Sequence, residues 1–257
     1  MAEATVLYRR EGNVGIITLN RPERLNAITV ELLRDLLTQL ETAREDQETA
    51  VIILTGAGKA FCAGEDLKET AAGKSIETWV EEAEGFQEVE KAILGLGKPL
   101  IAAVGGYAVG GGCSFAMCCD IRIAADDARF GFPETGVGLT VTMAGTKLLT
   151  QLVGLGKAKE LIFTADIIDA EEAAHIGLIN AVVPRAELLD TSLAMARKIG
   201  ERSPLALRLS RIAIDQGLDA SFDQILEIET RQLLQCVGTD NYKIFVETKL
   251  AEMSRSR

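Results

Sequence analysis

Histidine is almost absent from the sequence, which has 257 residues and one imidazole, His175. A single imidazole excludes zinc sites built on two or more histidines. A Ser-His-Asp triad would also have to use His175, which lies near the end of a predicted helix. A lone histidine in that position is usually a capping or core residue, so we expect no metal site and no triad.

Basic residues are also scarce: 27 Lys and Arg stand against 38 Asp and Glu, for a net charge of −11. A general nucleic-acid binder needs a basic face, so we expect no nucleic-acid partner. The five cysteines contain no C-x-x-C pair, which favours reduced, mostly buried thiols over disulfides or zinc. The first residues lack the apolar run of a signal peptide, and we expect a cytoplasmic protein, with the lumen of an organelle as the alternative.

Residues 99–119 carry no charge and are long enough to span a bilayer. The stretch contains several glycines, however, and each glycine inside a helix costs about 1 kcal/mol relative to alanine. We therefore predict a buried strand, a glycine-rich turn and a short helix, and no membrane partner.

The periodicity of apolar residues predicts an α/β fold. Residues 6–8 and 14–19 are β-prone and flank a turn, which indicates a hairpin. Residues 29–44 have the apolar spacing of an amphipathic helix, and 51–54, 99–104 and 121–123 form apolar runs typical of buried strands. From about residue 143 the pattern becomes helical, with separate helices predicted over 143–152 and 157–163. No linker divides the two parts, which indicates one domain with a helical layer.

Two glycine-containing turns, over residues 59–67 and 107–114, follow predicted strands. Glycine lets a backbone approach a ligand without a Cβ in the way, and the second turn opens a helix whose first N–H groups favour negative charge. The turns could form an oxyanion hole or could simply allow tight packing at strand ends.

The same turns belong to a series of ordered motifs. The motifs read GKAFCAGEDLK at 58–68, GGGC at 110–113, CDIR at 119–122, FGFPE at 130–134 and GVG at 136–138, with RPERLNA at 21–27 and AAHIGLINAVVP at 173–184. They resemble the enoyl-CoA hydratase/isomerase (crotonase) superfamily over nearly the whole chain. The resemblance implies a spiral of ββα turns over 1–195 and a helical C-terminal region over 196–257, within one continuous family domain. It also implies a homotrimer or a dimer of trimers.

The resemblance further implies an acyl-CoA substrate, with CoA entering as part of that substrate and no separate cofactor. Backbone N–H groups at Ala63 and Gly111 would hold the thioester oxygen, and Glu134 would be the acid/base. Contacts with CoA would come from Ala63 and from five further residues, which are Arg24, Asp66, Leu67, Lys68 and Lys249.

One position departs from the family pattern. Hydratases of the family usually hold water between two glutamates, and Ser114 stands where the first is expected. A serine hydroxyl needs another base to activate it. Glu134 alone suits double-bond isomerisation, whereas Ser114 with Glu134 is similar to hydroxycinnamoyl-CoA-type or cyclic-dienoyl-CoA hydratases. Another carboxylate from 81–84 could replace the missing one, although such a charge run is usually a solvated helix face.

A different class of function stays open beside these enzymes. One branch of the superfamily binds RNA, so a non-catalytic acyl-CoA or RNA-binding member is the alternative, although the net charge of −11 opposes it.

Overall fold

The computed structural model of the protein describes residues 4–255, without the side chains of residues 67, 69 and 255. The strands in that range are β1 (Val6–Glu11), β2 (Val14–Leu19), β3 (Val51–Gly56), β4 (Ala60–Cys62), β5 (Leu100–Val104), β6 (Tyr107–Val109), β7 (Ile121–Ala125), β8 (Arg129–Gly131), β9 (Ile167–Asp169) and β10 (Ala181–Val183). The α-helices are α1 (Val30–Glu45), α2 (Leu67–Ala71), α3 (Ile76–Leu94), α4 (Gly111–Cys118), α5 (Gly145–Thr164), α6 (Ala170–His175), α7 (Leu188–Gly200), α8 (Pro204–Gly217), α9 (Phe222–Val237) and α10 (Asn241–Arg255).

The strands form two sheets that the chain visits in turn. The larger sheet has the order β1-β2-β3-β5-β7-β10, and the smaller has the order β4-β6-β8-β9. Each of β3, β5 and β7 is followed by a short strand of the smaller sheet and then by helix, so the chain winds as repeated ββα turns. This arrangement confirms the α/β spiral that the resemblance implied.

The larger sheet is buried on both faces. In β3, Ile52 and Leu54 pack into the main core with α1, while Val51 and Ile53 join a second core that α7 covers. Alternate residues of a strand point to opposite faces, so one continuous apolar run serves both layers. Thr29 begins α1 by accepting a hydrogen bond from the Leu32 N–H at 3.2 Å.

Most predicted elements are confirmed, including the hairpin, α1 and the buried strands. The uncharged stretch 99–119 forms β5, β6 and α4, and no helix within the described residues is long and apolar enough to cross a membrane. The two helices predicted over 143–152 and 157–163 are found as the two halves of α5, which is interrupted at Gly154, where φ is +79°.

The C-terminal region is helical, as expected. Helix α9 buries none of its residues, and several of its large apolar side chains are exposed, among them Phe222, Leu233 and Leu234. The trimer implied by the resemblance stays a prediction.

Candidate active site

A cavity of about 320 Å³ lies where the two glycine-containing turns meet α3. Its walls are mostly apolar: Trp79 and Phe86 come from α3, and Met143 comes from the segment before α5. The turn after β4 supplies Gly64, and the start of α4 supplies Gly111. A concave, largely apolar cavity with a few polar groups is the usual form of a small-molecule site.

Glycine at position 64 allows the two turns to approach each other. Gly64 has a φ of +81°, and a Cβ at this position would lie 2.6 Å from the Val109 carbonyl oxygen and 3.6 Å from the Gly111 nitrogen. A Cβ contact under 3 Å does not occur without displacement of the backbone. The sequence therefore brings the end of β4 against the start of α4.

Two backbone N–H groups at this junction have no hydrogen-bond partner within the described residues: those of Gly111 and Glu65. Gly111 is the first residue of α4, where the helix dipole favours negative charge. The prediction for Ala63 needs correction. Its N–H donates to the Leu25 carbonyl oxygen at 3.0 Å, so this amide is not free to hold a substrate oxygen.

Glu134 lies in a short 3₁₀ turn, Pro133–Val137, and lines the same cavity. Its Oε2 atom is buried and accepts no hydrogen bond. Burial raises the pKa of Glu134, and the negative charge of Glu65 raises it further. A carboxyl group in this environment holds a proton more readily than one in water and suits general acid/base catalysis.

Ser114 is 1% exposed and is not among the cavity-lining residues of the described part of the chain. A Cβ at Gly145 would lie 3.1 Å from the Ser114 hydroxyl oxygen, so the serine packs against the start of α5. The structure thus brings Glu134 and Gly111 together at the cavity and places Ser114 behind its wall.

Comparisons with known proteins identify the family of the chain. Residues 9–253 match the Enoyl-CoA hydratase/isomerase family. The chain belongs to this family. It is 42% identical to the short-chain-enoyl-CoA hydratase of Clostridium acetobutylicum over 98% of both chains. It is 39% identical to the crotonyl-CoA hydratase of Syntrophomonas wolfei over 95% of this chain and 94% of that protein.

Solved structures of the family share the fold over nearly the whole length. An enoyl-CoA hydratase from Bacillus anthracis matches with a TM-score of 0.90 and 36% identity, over 95% of this chain and 96% of that one. An enoyl-CoA hydratase from Polaromonas sp. JS666 matches with a TM-score of 0.92 and 29% identity, over 96% and 97%. The crotonase fold and an acyl-CoA substrate follow from membership of the family.

The residues that family resemblance assigned to CoA lie mostly outside the cavity. Arg24 and Lys68 are exposed, and Lys249 on α10 pairs with Glu252 at 2.9 Å. Asp66 caps α2, since its Oδ1 atom accepts a hydrogen bond from the Lys68 N–H at 3.0 Å. Among the described residues of these six, Ala63 is the one that lines the cavity. The side chain of Leu67 lies outside the described part of this crotonase.

The cavity wall contains a cluster of charged residues whose members were not predicted individually from the sequence. Glu82 is buried and pairs with Lys74, at 2.7 Å, and Lys74 also pairs with Glu65, at 2.8 Å. For Glu82 the prediction of a solvated helix face is wrong, although Glu81 is exposed. The charge run alone carries no signal for which glutamate turns inward. The described residues contain no cluster of three or more His, Cys, Asp or Glu suited to a metal ion.

Proposed function

We propose that the protein hydrates short-chain 2-enoyl-CoA thioesters to 3-hydroxyacyl-CoA. The relatives named for short-chain and crotonyl substrates support this proposal. The cavity supports it as well, because about 320 Å³ is near the lower end of the range for small-molecule sites.

One observation carries the mechanism: the buried, unpaired Oε2 of Glu134 shares a cavity with the free N–H of Gly111. In the proposed reaction the N–H groups of Gly111 and Glu65 hold the thioester oxygen as negative charge develops on it. Preorganised donors of this kind are worth about 3–4 kcal/mol each in the transition state. Glu134 delivers a proton to C2 of the resulting enolate.

A second candidate is migration of a double bond in 3-enoyl-CoA. The unpaired Oε2 atom of Glu134 favours it, because one carboxylate could take a proton from C2 and return it at C4. The same N–H groups would hold the dienolate, and neither reaction calls for a cofactor beyond the CoA of the substrate.

Mass and absorbance distinguish the two reactions. The purified protein is incubated separately with crotonyl-CoA, a straight-chain 3-enoyl-CoA and an aromatic 2-enoyl-CoA. Hydration adds the mass of one water and removes the absorbance of the conjugated thioester. Migration leaves the mass unchanged and creates that absorbance. A water adduct on crotonyl-CoA supports the proposal, and conversion of the 3-enoyl substrate alone overturns it in favour of the isomerase.

Replacing Glu134 tests the assigned acid/base directly. Glu134→Gln keeps the shape of the side chain and removes its proton transfer, so we expect kcat to fall by about 10²–10⁴-fold. Binding of butyryl-CoA, measured by calorimetry, should change little, because the Gly111 and Glu65 N–H groups remain. A variant with wild-type kcat would show that Glu134 is not the acid/base.

A further inference from the structure

Three carboxyl groups line the cavity, those of Glu65, Glu82 and Glu134. Lys74 lies behind two of them. Its Nζ atom is 2.8 Å from Glu65 Oε1 and 2.7 and 2.9 Å from the two oxygens of Glu82. The Lys74 side chain is 5% exposed, and its ammonium group also lies 5.1 Å from the centre of the Trp79 ring. The cavity wall therefore contains a buried ammonium group shared by two carboxylates.

The two carboxylates differ in which of their oxygen atoms accept hydrogen bonds. Both oxygens of Glu82 accept hydrogen bonds from Lys74. For Glu65, Oε1 accepts from Lys74 at 2.8 Å and from the Thr70 hydroxyl at 2.9 Å, whereas Oε2 has no hydrogen bond within the described residues. The Glu65 side chain is also more open, at 20% exposed against 5% for Glu82. Glu65 thus lines the cavity with one oxygen held by Lys74 and Thr70 and the other without a hydrogen bond.

Addition of water to an enoyl thioester requires two proton movements. One proton leaves the water as its oxygen bonds to C3, and one proton arrives at C2. Glu134 suits the second movement, because its burial favours the protonated carboxyl group. Glu65 suits the first, because Lys74 and Thr70 hold its Oε1 atom in place while Oε2 accepts no hydrogen bond within the described residues. The negative charge of Glu65 raises the pKa of Glu134, which indicates that the two groups interact.

We propose that Glu65 is a catalytic residue that binds and activates the water molecule, through the Oε2 atom that Lys74 and Thr70 leave unoccupied. The proposal rests on the hydratase function argued above. It assigns to Glu65 two separate tasks: its N–H holds the thioester oxygen, and its carboxylate holds the nucleophile.

The water oxygen forms the C3–O bond, and the C2=C3 electron pair moves into the enolate, whose oxygen lies on the two N–H groups. The water proton passes to Glu65 Oε2, and Glu134 transfers its proton to C2 as the enolate collapses. The proton on Glu65 then returns to Glu134 through solvent, so that one water has been added and both groups regain their starting states.

Glu65→Gln tests this role with two readouts. Hydration of crotonyl-CoA should fall at least about 100-fold, since an amide cannot take a proton from water. Exchange of the C2 hydrogens of butyryl-CoA in D₂O needs Glu134 and the N–H groups but no bound water, and it should stay within about threefold of wild type. Glu134→Gln should lose both activities. Glu84→Gln removes an exposed carboxylate from the same helix as Glu82 and serves as the control.

A second variant distinguishes loss of the carboxylate from misfolding of Glu65→Gln. Glu65→Ala removes the carboxylate and keeps the backbone N–H, and added formate should restore part of its hydration activity. Wild-type hydration in Glu65→Gln, or equal loss of hydration and exchange without formate rescue in Glu65→Ala, would overturn the role of Glu65. If wild-type protein does not hydrate crotonyl-CoA, the proposed function itself fails, and the role of Glu65 fails with it.

Discussion

Glu90 provides a test of how burial affects stability. This residue of α3 is 7% exposed, and its Oε1 atom has no hydrogen-bond partner. Burial raises its pKa from the ordinary value of 4.5 to about 7. The folded state therefore favours the protonated form, and its contribution to stability is fully present below pH 4.5 and is lost as the pH rises through 7. A shift of this size corresponds to about 3 kcal/mol, and relaxation of the protein around the buried group reduces it to about 1–2 kcal/mol.

Glu90→Gln removes the ionisation and keeps the shape of the side chain. We expect the free energy of unfolding of the variant minus that of wild type to be about 1 kcal/mol higher at pH 8.5 than at pH 5.5. The difference is smaller than the full effect, because wild type has already lost part of the stabilisation by pH 5.5. Urea titrations followed by circular dichroism at both pH values measure this difference. Glu88→Gln, an exposed substitution in the same helix, is the control. An unchanged difference between the two pH values would refute the argument from burial.

Two further predictions concern the turns that build the site. Asn26 is fully buried, and its amide donates to the carbonyl oxygens of Ala57 at 3.0 Å and Ala60 at 2.8 Å. Asn26→Ala should therefore lower the free energy of unfolding, measured in urea titrations, by about 3 kcal/mol. A loss below about 1 kcal/mol would contradict this prediction. A Cβ at Gly112 would lie 2.1 Å from the Cys62 carbonyl oxygen, so Gly112→Ala should abolish activity and lower the melting temperature. Gly156→Ala, where a Cβ meets open space, should leave both nearly unchanged.

The sequence predicted the elements whose burial pattern is simple. Helix α1 presents one apolar face to the core, and β3 is apolar on both faces, so periodicity was sufficient for each. Helix α3 was not predicted as an element. Its first half lines the cavity and its second half packs Val89 and Ile93 into the core, but its buried residues also include Glu82 and Glu90. Polarity at buried positions hides the pattern on which such predictions depend.

The candidate site was also predicted only in part from the sequence. Glu134 and Gly111 lie in motifs short enough to be recognised one by one, and the structure brings both to the cavity. The amide of Ala63 could not be assigned correctly, because its partner, the Leu25 carbonyl, comes from another loop. The orientation of Glu65 depends in the same way on Lys74, which approaches it only in the folded chain. Contacts formed only on folding decide both cases, one with a distant loop and one with a residue nine positions along the chain.

The distribution of thiols has a practical consequence. Cys62, Cys113, Cys118 and Cys119 are buried, and burial raises the pKa of Cys62, Cys113 and Cys118 to about 12. Cys236 on α9 is half-buried and is the most accessible of the five. Because a thiol must ionise to react, a maleimide dye or spin label added to the native chain should attach first at Cys236. The natural sequence thus offers a reporter position on the C-terminal helices without any engineered cysteine.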